Sequence, residues 1–267
     1  MAQAGPSPLL SSPGNGGTRF DPRGLLLPGV LLAVAELLAL LYVPADSFSL
    51  AAPHQIAVEL GRLLIDGTLL IASLETLGSA IAGLALGGSV GLILGVAFGL
   101  SPTLDRLMSL SVEALRPIPP AALIPLSLLV FGFGFSMEIA ITAFTCTWPV
   151  LVLTRAAIGE TEPGLMEVAR VLRISFWRRA TRIVLPGAVA RIFVAFRLAA
   201  AISLIVAVTV EVVANPRGLG YGMMIATQSL HPAISFAFLA WIAIVGWAFN
   251  LALVQLERWF FNPAGRA

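Results

Sequence analysis

Residues 68–100 read TLLIASLETLGSAIAGLALGGSVGLILGVAFGL, an apolar run carrying a single charge, Glu75. About 20 mostly apolar residues, rising roughly 1.5 Å each, cross the ~30 Å hydrocarbon layer of a bilayer, so this run is expected to be a transmembrane helix. Within it Gly83, Gly87, Gly91, Gly95 and Gly99 recur at every fourth position. Glycine weakens a helix, but residues four apart share one face. The repeat therefore predicts a stripe where another helix backbone packs closely.

The rest of the chain has the same character. Of its 267 residues 58% are apolar and 11% charged, whereas a soluble domain has about 25% charged residues. So little charge cannot clothe a soluble globule, but it suffices where lipid is the solvent. Reading outward, we expect an all-α polytopic helical bundle with six transmembrane helices, at 24–43, 68–100, 107–131, 139–154, 185–213 and 232–256. Residues 24–260 then form one membrane domain. The Gly-, Pro- and Ser-rich residues 1–23 are expected to be a disordered tail, 44–67 to contain a short interfacial helix, and 261–267 to be a C-terminal tail. Pro117, Pro119, Pro120 and Pro125 crowd the third span. Each removes a backbone donor, so this span is expected to be broken and to face a pathway or the bundle interior rather than lipid.

All sixteen basic side chains are arginine. Without lysine the chain cannot form a Schiff base or grip phosphate as a P-loop does. The net charge of +2, with arginines mostly beside spans, argues against nucleic acid. Cys146 stands alone, which excludes an intrachain disulfide and a CxxC metal site; it is expected to be a small buried side chain. The two histidines, His54 and His231, fall outside the spans, and no set of nucleophile, base and orienter is evident. No catalytic or metal-ligating residue is therefore assigned.

Between the fourth and fifth spans lie Arg155, Arg170, Arg173, Arg178, Arg179 and Arg182, with three of the fourteen acids, Glu160, Glu162 and Glu167. The other link on that expected side aside, neighbouring links hold few or no arginines. The positive-inside rule makes this link cytoplasmic and, with six spans, both termini cytoplasmic. Leu165, Met166, Val168, Ala169, Val171 and Leu172 recur in it at helical spacing. Either an amphipathic helix docks there on a protein partner, or it lies on the headgroups. Glu36, Glu75, Arg197 and Glu211 fall within or near spans, where ionisable groups suggest function. For Glu75 and Glu211 a position near a span end, with solvation at the interface, suffices. Arg197 is the candidate for meeting an anionic substrate.

Glu167, Val168, Ala169 and Arg170, followed by Leu185 and Pro186, resemble the EAA motif of permease subunits of bacterial type I ABC importers. The run Leu115–Pro125 and the segment Gly218, Leu219, Gly220, Tyr221 are similar to the aliphatic sulfonate, taurine and nitrate group of that family. The resemblance covers residues 24–260. It implies a transport subunit, not an enzyme, with a cytoplasmic coupling helix pair over about 162–182. It also implies a second permease subunit forming a homodimer, a dimer of cytosolic ATPase subunits holding ATP and Mg, and an extracytoplasmic solute-binding protein. No cofactor is implied in this chain. Two positions depart from the pattern: Val168 replaces the first Ala, and Arg173 replaces a Gly. A side chain costs about 1 kcal/mol or more at positive φ, so the turn at Arg173 is expected to be shaped differently. An ion-coupled secondary transporter would need a paired broken helix in a second half, which is not evident; a membrane enzyme or a non-catalytic assembly subunit are the remaining alternatives.

Overall fold

The computed structural model describes residues 26–42, 50–160 and 163–261, and the expected tails lie outside them except for Phe261, which ends the last helix. Among these residues eleven α-helices follow in order: α1 Leu26–Tyr42, α2 Pro53–Ile65, α3 Thr68–Leu100, α4 Pro102–Leu115, α5 Ile124–Phe131, α6 Phe135–Gly159, α7 Pro163–Val171, α8 Phe176–Arg179, α9 Leu185–Val213, α10 Gly218–Gln228 and α11 Pro232–Phe261.

The glycine stripe of α3 faces α6, and the two helices run parallel. A Cβ on Gly83 would meet Thr142, one on Gly91 Thr147 and Val150, one on Gly95 Thr154, and one on Gly99 Ile158. At Gly87 it would overlap the backbone of Ala143 itself. Small side chains set the separation from α9 as well, where Ala195, Ala199, Ala200 and Ala207 are wholly buried. α9 is antiparallel to both neighbours. Its start, Val184 and Ala188, packs on Ala157 and Ile158, and its end, Val206 and Val210, on Met137 and Ile141.

The parallel pairing has a topological consequence: the chain leaves α3 at one end of the bundle and must return before starting α6. The return is the broken segment α4 plus α5, whose two arms meet at 86°. At the bend the prolines replace helical bonds with single turns, Ile118 N–H to Leu115 O at 3.3 Å and Ala122 N–H to Pro119 O at 3.0 Å. Pro125 is tolerated because it stands in the first turn of α5.

Among the described residues four stretches are long and apolar enough to cross a membrane, or five if the bent pair counts as one. The first expected span, 24–43, is not among them. α1 has 17 residues, about 25 Å of helix and a little short of the ~30 Å hydrocarbon layer. α6 also starts earlier than the expected 139, because the left-handed Gly132 and Gly134 (φ 70° and 117°) release the chain just before Phe135. That difference brings Glu138 inside the helix.

Candidate functional site

Two regions at opposite ends of the bundle carry the polar chemistry. At one end α6 hands over to α7 and α8, the segment of the expected coupling helices. Ala169 faces inward at 1% exposure, while Glu167, Val168, Val171, Leu172, Phe176 and Trp177 are exposed. Among the described residues nothing covers this apolar face, on a helix that also carries Glu167 and Arg170. α7 closes with Ile174 N–H bonded to Ala169 O at 3.0 Å, which puts Arg173 at the left-handed position of a Schellman turn. Arg173 has φ 48°, so the expectation of a differently shaped turn is corrected. The backbone keeps the form that glycine favours, and the side chain is accommodated because it is exposed.

Leu185 and Pro186 open α9 immediately after a π-helical turn, Ala180–Val184. Pro186 has no N–H to give the Arg182 carbonyl and its ring crowds that turn, which explains the widening. The same end holds three ion pairs, Arg155 with Asp105 (2.8 Å), Arg191 with Glu160, and Arg197 with Glu257 (3.3 Å). The Arg197 guanidinium thus faces a carboxylate from α11. Of the bend prolines, Pro117, Pro119 and Pro125 are exposed and Pro120 is half-buried.

At the other end the polar groups are buried. Glu138 and Glu211 are each 1% exposed, with Thr76, Ser79 and Asn215 equally enclosed. The N-terminus of α10 supplies backbone donors to this cluster. Gly218 N–H donates to Glu75 Oε2 at 3.0 Å, Leu219 N–H to Thr76 Oγ1 at 3.0 Å, and Gly220 N–H to Glu211 Oε2 at 2.8 Å. Three orphan donors of a helix start are thereby satisfied, and the helix dipole favours the acids. Gly218 takes φ 84°, and a Cβ there would collide with the Glu211 carboxyl, so only glycine lets α10 approach α9.

The expectation that Glu211 is solvated at an interface is corrected by its burial, whereas Glu75 is half-buried, accepts the Gly218 N–H and lines an open cleft. Glu36 instead meets His54, accepting its backbone N–H at 3.1 Å and contacting Nδ1 at 2.6 Å, which ties α1 to α2. Sequence reasoning missed Glu138, Thr76, Ser79 and Asn215. The signal for Glu138 was the Gly132-Phe133-Gly134 breaker followed by an acid in the first helical turn, where the macrodipole stabilises it. Cys146 is buried, with Sγ 3.4 Å from Ala199 O. Among the described residues no group of three or more His, Cys, Asp or Glu is arranged to hold a metal. A cleft of about 460 Å³ beside the cluster is lined by Glu75, Arg217, Gly218 and Tyr221.

Known proteins bear on this arrangement. Residues 87–262 match the family described as binding-protein-dependent transport system inner membrane component. The chain is 30% identical to the putative aliphatic sulfonates transport permease protein SsuC of Bacillus subtilis, over 88% of this chain and 85% of that protein. It is 25% identical to the bicarbonate transport system permease protein CmpB of Synechococcus elongatus, over 88% and 91% of the two chains. In fold it is similar to a chain of the inward-facing MetNI methionine ABC transporter, with a TM-score of 0.64 at 19% identity over 71% of this chain and 95% of that one. A helical bundle with a broken crossing, an exposed helix pair at one end and relatives of this kind leads to one assignment: the chain belongs to the family of binding-protein-dependent transport system inner membrane components.

Proposed function

We propose that this chain is the permease subunit of an ATP-binding cassette importer and forms the translocation pathway for a small anion of the sulfonate, taurine, nitrate or bicarbonate class. The carrying observation is the unpartnered face of α7 and α8. Val168, Val171, Leu172 and Trp177 are exposed beside Glu167, an arrangement suited to a protein groove rather than to water. On this reading Glu167, Val168, Arg170 and Arg173 form the contact with a cytosolic ATPase, Ala169 packs the helix inward behind them, and Leu185 and Pro186 transmit its movement into α9. ATP and Mg belong to that partner. Two copies of the chain and two ATPase subunits make the complex, and an extracytoplasmic binding protein delivers the solute. α1 completes six crossings, with both termini cytoplasmic in the inner membrane. The bend at Pro117, Pro119, Pro120 and Pro125 lines the path. Arg197, paired with Glu257, is available to an anion only in competition with that carboxylate.

The chain's single cysteine is buried, so an introduced one is a clean reporter. A cysteine at Val171 is expected to crosslink to the co-expressed ATPase, and one at Ile65, on the far side of the bundle, is not. Equal crosslinking of both, or of neither, would remove the docking surface from the proposal.

A further inference from the structure

The cleft of about 460 Å³ lies between the starts of α3 and α10 and the N-terminal part of α11, with Ile71, Ile225 and Phe238 as apolar walls. Two opposite charges line it together, Glu75 from α3 and Arg217 just before α10, with Tyr221 beside them. Each charge is held on its own support. Glu75 Oε2 accepts the Gly218 N–H at 3.0 Å, where the start of α10 favours negative charge. The Arg217 guanidinium lies 5.7 Å from the centre of the Phe135 ring, a stacking that a planar cation favours. Among the described residues the two form no ion pair with each other, and neither forms one elsewhere.

Opposite charges held apart in one small cleft select against a ligand of a single sign. An anion drawn to Arg217 meets the acid as well, and a cation drawn to Glu75 meets the guanidinium. A ligand carrying both signs satisfies both at once. The guanidinium presents a flat fork of N–H donors that matches an oxyanion. A carboxylate only accepts, and a primary ammonium brings three N–H donors to it. Glu75 is half-buried and Arg217 exposed, so the acid takes the inner end of such a ligand and the arginine its outer end. Glu138 and Glu211 are each 1% exposed and do not line the cleft. Its volume lies toward the lower end of the roughly 300–1,000 Å³ usual for ligand sites, and the exposed Ile71 and Ile225 offer apolar contact to a short carbon chain.

We propose that this cleft binds a zwitterion, a primary ammonium and an oxyanion joined by a short carbon chain, with the ammonium on Glu75 and the oxyanion on Arg217. Free amino-sulfonates and amino acids have this chemistry, and so does the headgroup of an ethanolamine phospholipid. The site goes beyond the importer reading and does not rest on it.

The test uses the full chain in nanodiscs of phosphatidylcholine, whose quaternary ammonium has no N–H to donate. Binding of taurine and of ethanesulfonate, the same anion without the ammonium, is followed by ligand-observed NMR. Wild type is expected to bind taurine saturably and ethanesulfonate at least tenfold more weakly. In Glu75→Gln, whose amide oxygen can still accept the Gly218 N–H, the preference should fall to within about twofold. Arg217→Gln should weaken both ligands. Phosphatidylethanolamine added to the nanodiscs distinguishes the sources: displacement of taurine assigns the cleft to the lipid headgroup, and unchanged taurine binding assigns it to a free solute. Absence of saturable taurine binding to wild type, or equal binding of the two sulfonates, overturns the proposal whether or not the variants fold. A preference that survives in Glu75→Gln overturns it too. No ATPase or binding protein is present, so a negative result strikes the cleft alone and leaves the docking surface to its own crosslinking test.

Discussion

The α-carbon of Gly87 lies against the backbone of Ala143, so close that no side chain fits between α3 and α6. Gly87→Ala is therefore expected to push two helix backbones apart. An overpacked contact of this kind costs about 1–3 kcal/mol. Gly78, on the same helix, has nothing within 4 Å of the place its Cβ would occupy, and Gly78→Ala should stabilise by up to about 1 kcal/mol through helix propensity. Thermal melting of the two variants in detergent should move in opposite directions. If both melt like wild type, the close approach is not what holds these helices.

Arg173 and Leu230 are the two non-glycine residues with positive φ among the described residues, at 48° and 56°. Leu230 closes α10 as Arg173 closes α7, with His231 N–H on Ala226 O at 3.0 Å. Replacing either by glycine should stabilise by about 1 kcal/mol, because the strain of a side chain in this region is relieved. Amide exchange at Ile174 and His231 should slow in the respective variants. Faster exchange would mean that the side chains contribute more than the backbone strain costs.

Asp66 accepts the Thr68 N–H at 2.9 Å just before α3. That hydrogen bond, joined by one from the Thr68 side chain, holds its carboxyl below the usual aspartate range. A lowered carboxyl stabilises the fold above its unfolded value, and the benefit is lost as pH falls through the folded one. The Tm gap between wild type and Asp66→Ala should thus be open at neutral pH and close in strong acid. A gap independent of pH would assign the effect to the turn rather than to the charge.

Arg197→Gln is expected to leave anion uptake within about twofold of wild type, since partly exposed pairs such as Arg197 with Glu257 contribute little. A tenfold or greater loss with normal membrane levels would put Arg197 on the anion's path.

Much of this architecture is legible in residue spacing, and the reason is local. The four-residue glycine repeat of 83–99 describes one helix face whatever lies opposite, and the apolar run 185–213 coincides with α9 because Pro186 and the polar Asn215 bound it. The proline cluster at 117–125 predicts the break for the same reason, although the 86° angle depends on what α5 packs against. The acid cluster is different in kind. Glu75, Glu138 and Glu211 are far apart in the chain and meet only because α3 and α6 run parallel in one register. That relationship rests on which glycine faces which threonine, and no local period records it.

Uptake in proteoliposomes reaches the central claim. The chain would be reconstituted with its ATPase and binding protein, and entry of a labelled sulfonate or nitrate followed with and without ATP, in wild type and in Glu167→Arg. Uptake should require ATP and be abolished by Glu167→Arg while the variant still inserts in the membrane. Uptake driven by an ion gradient without ATP, or ATP-dependent uptake undiminished in Glu167→Arg, would contradict it.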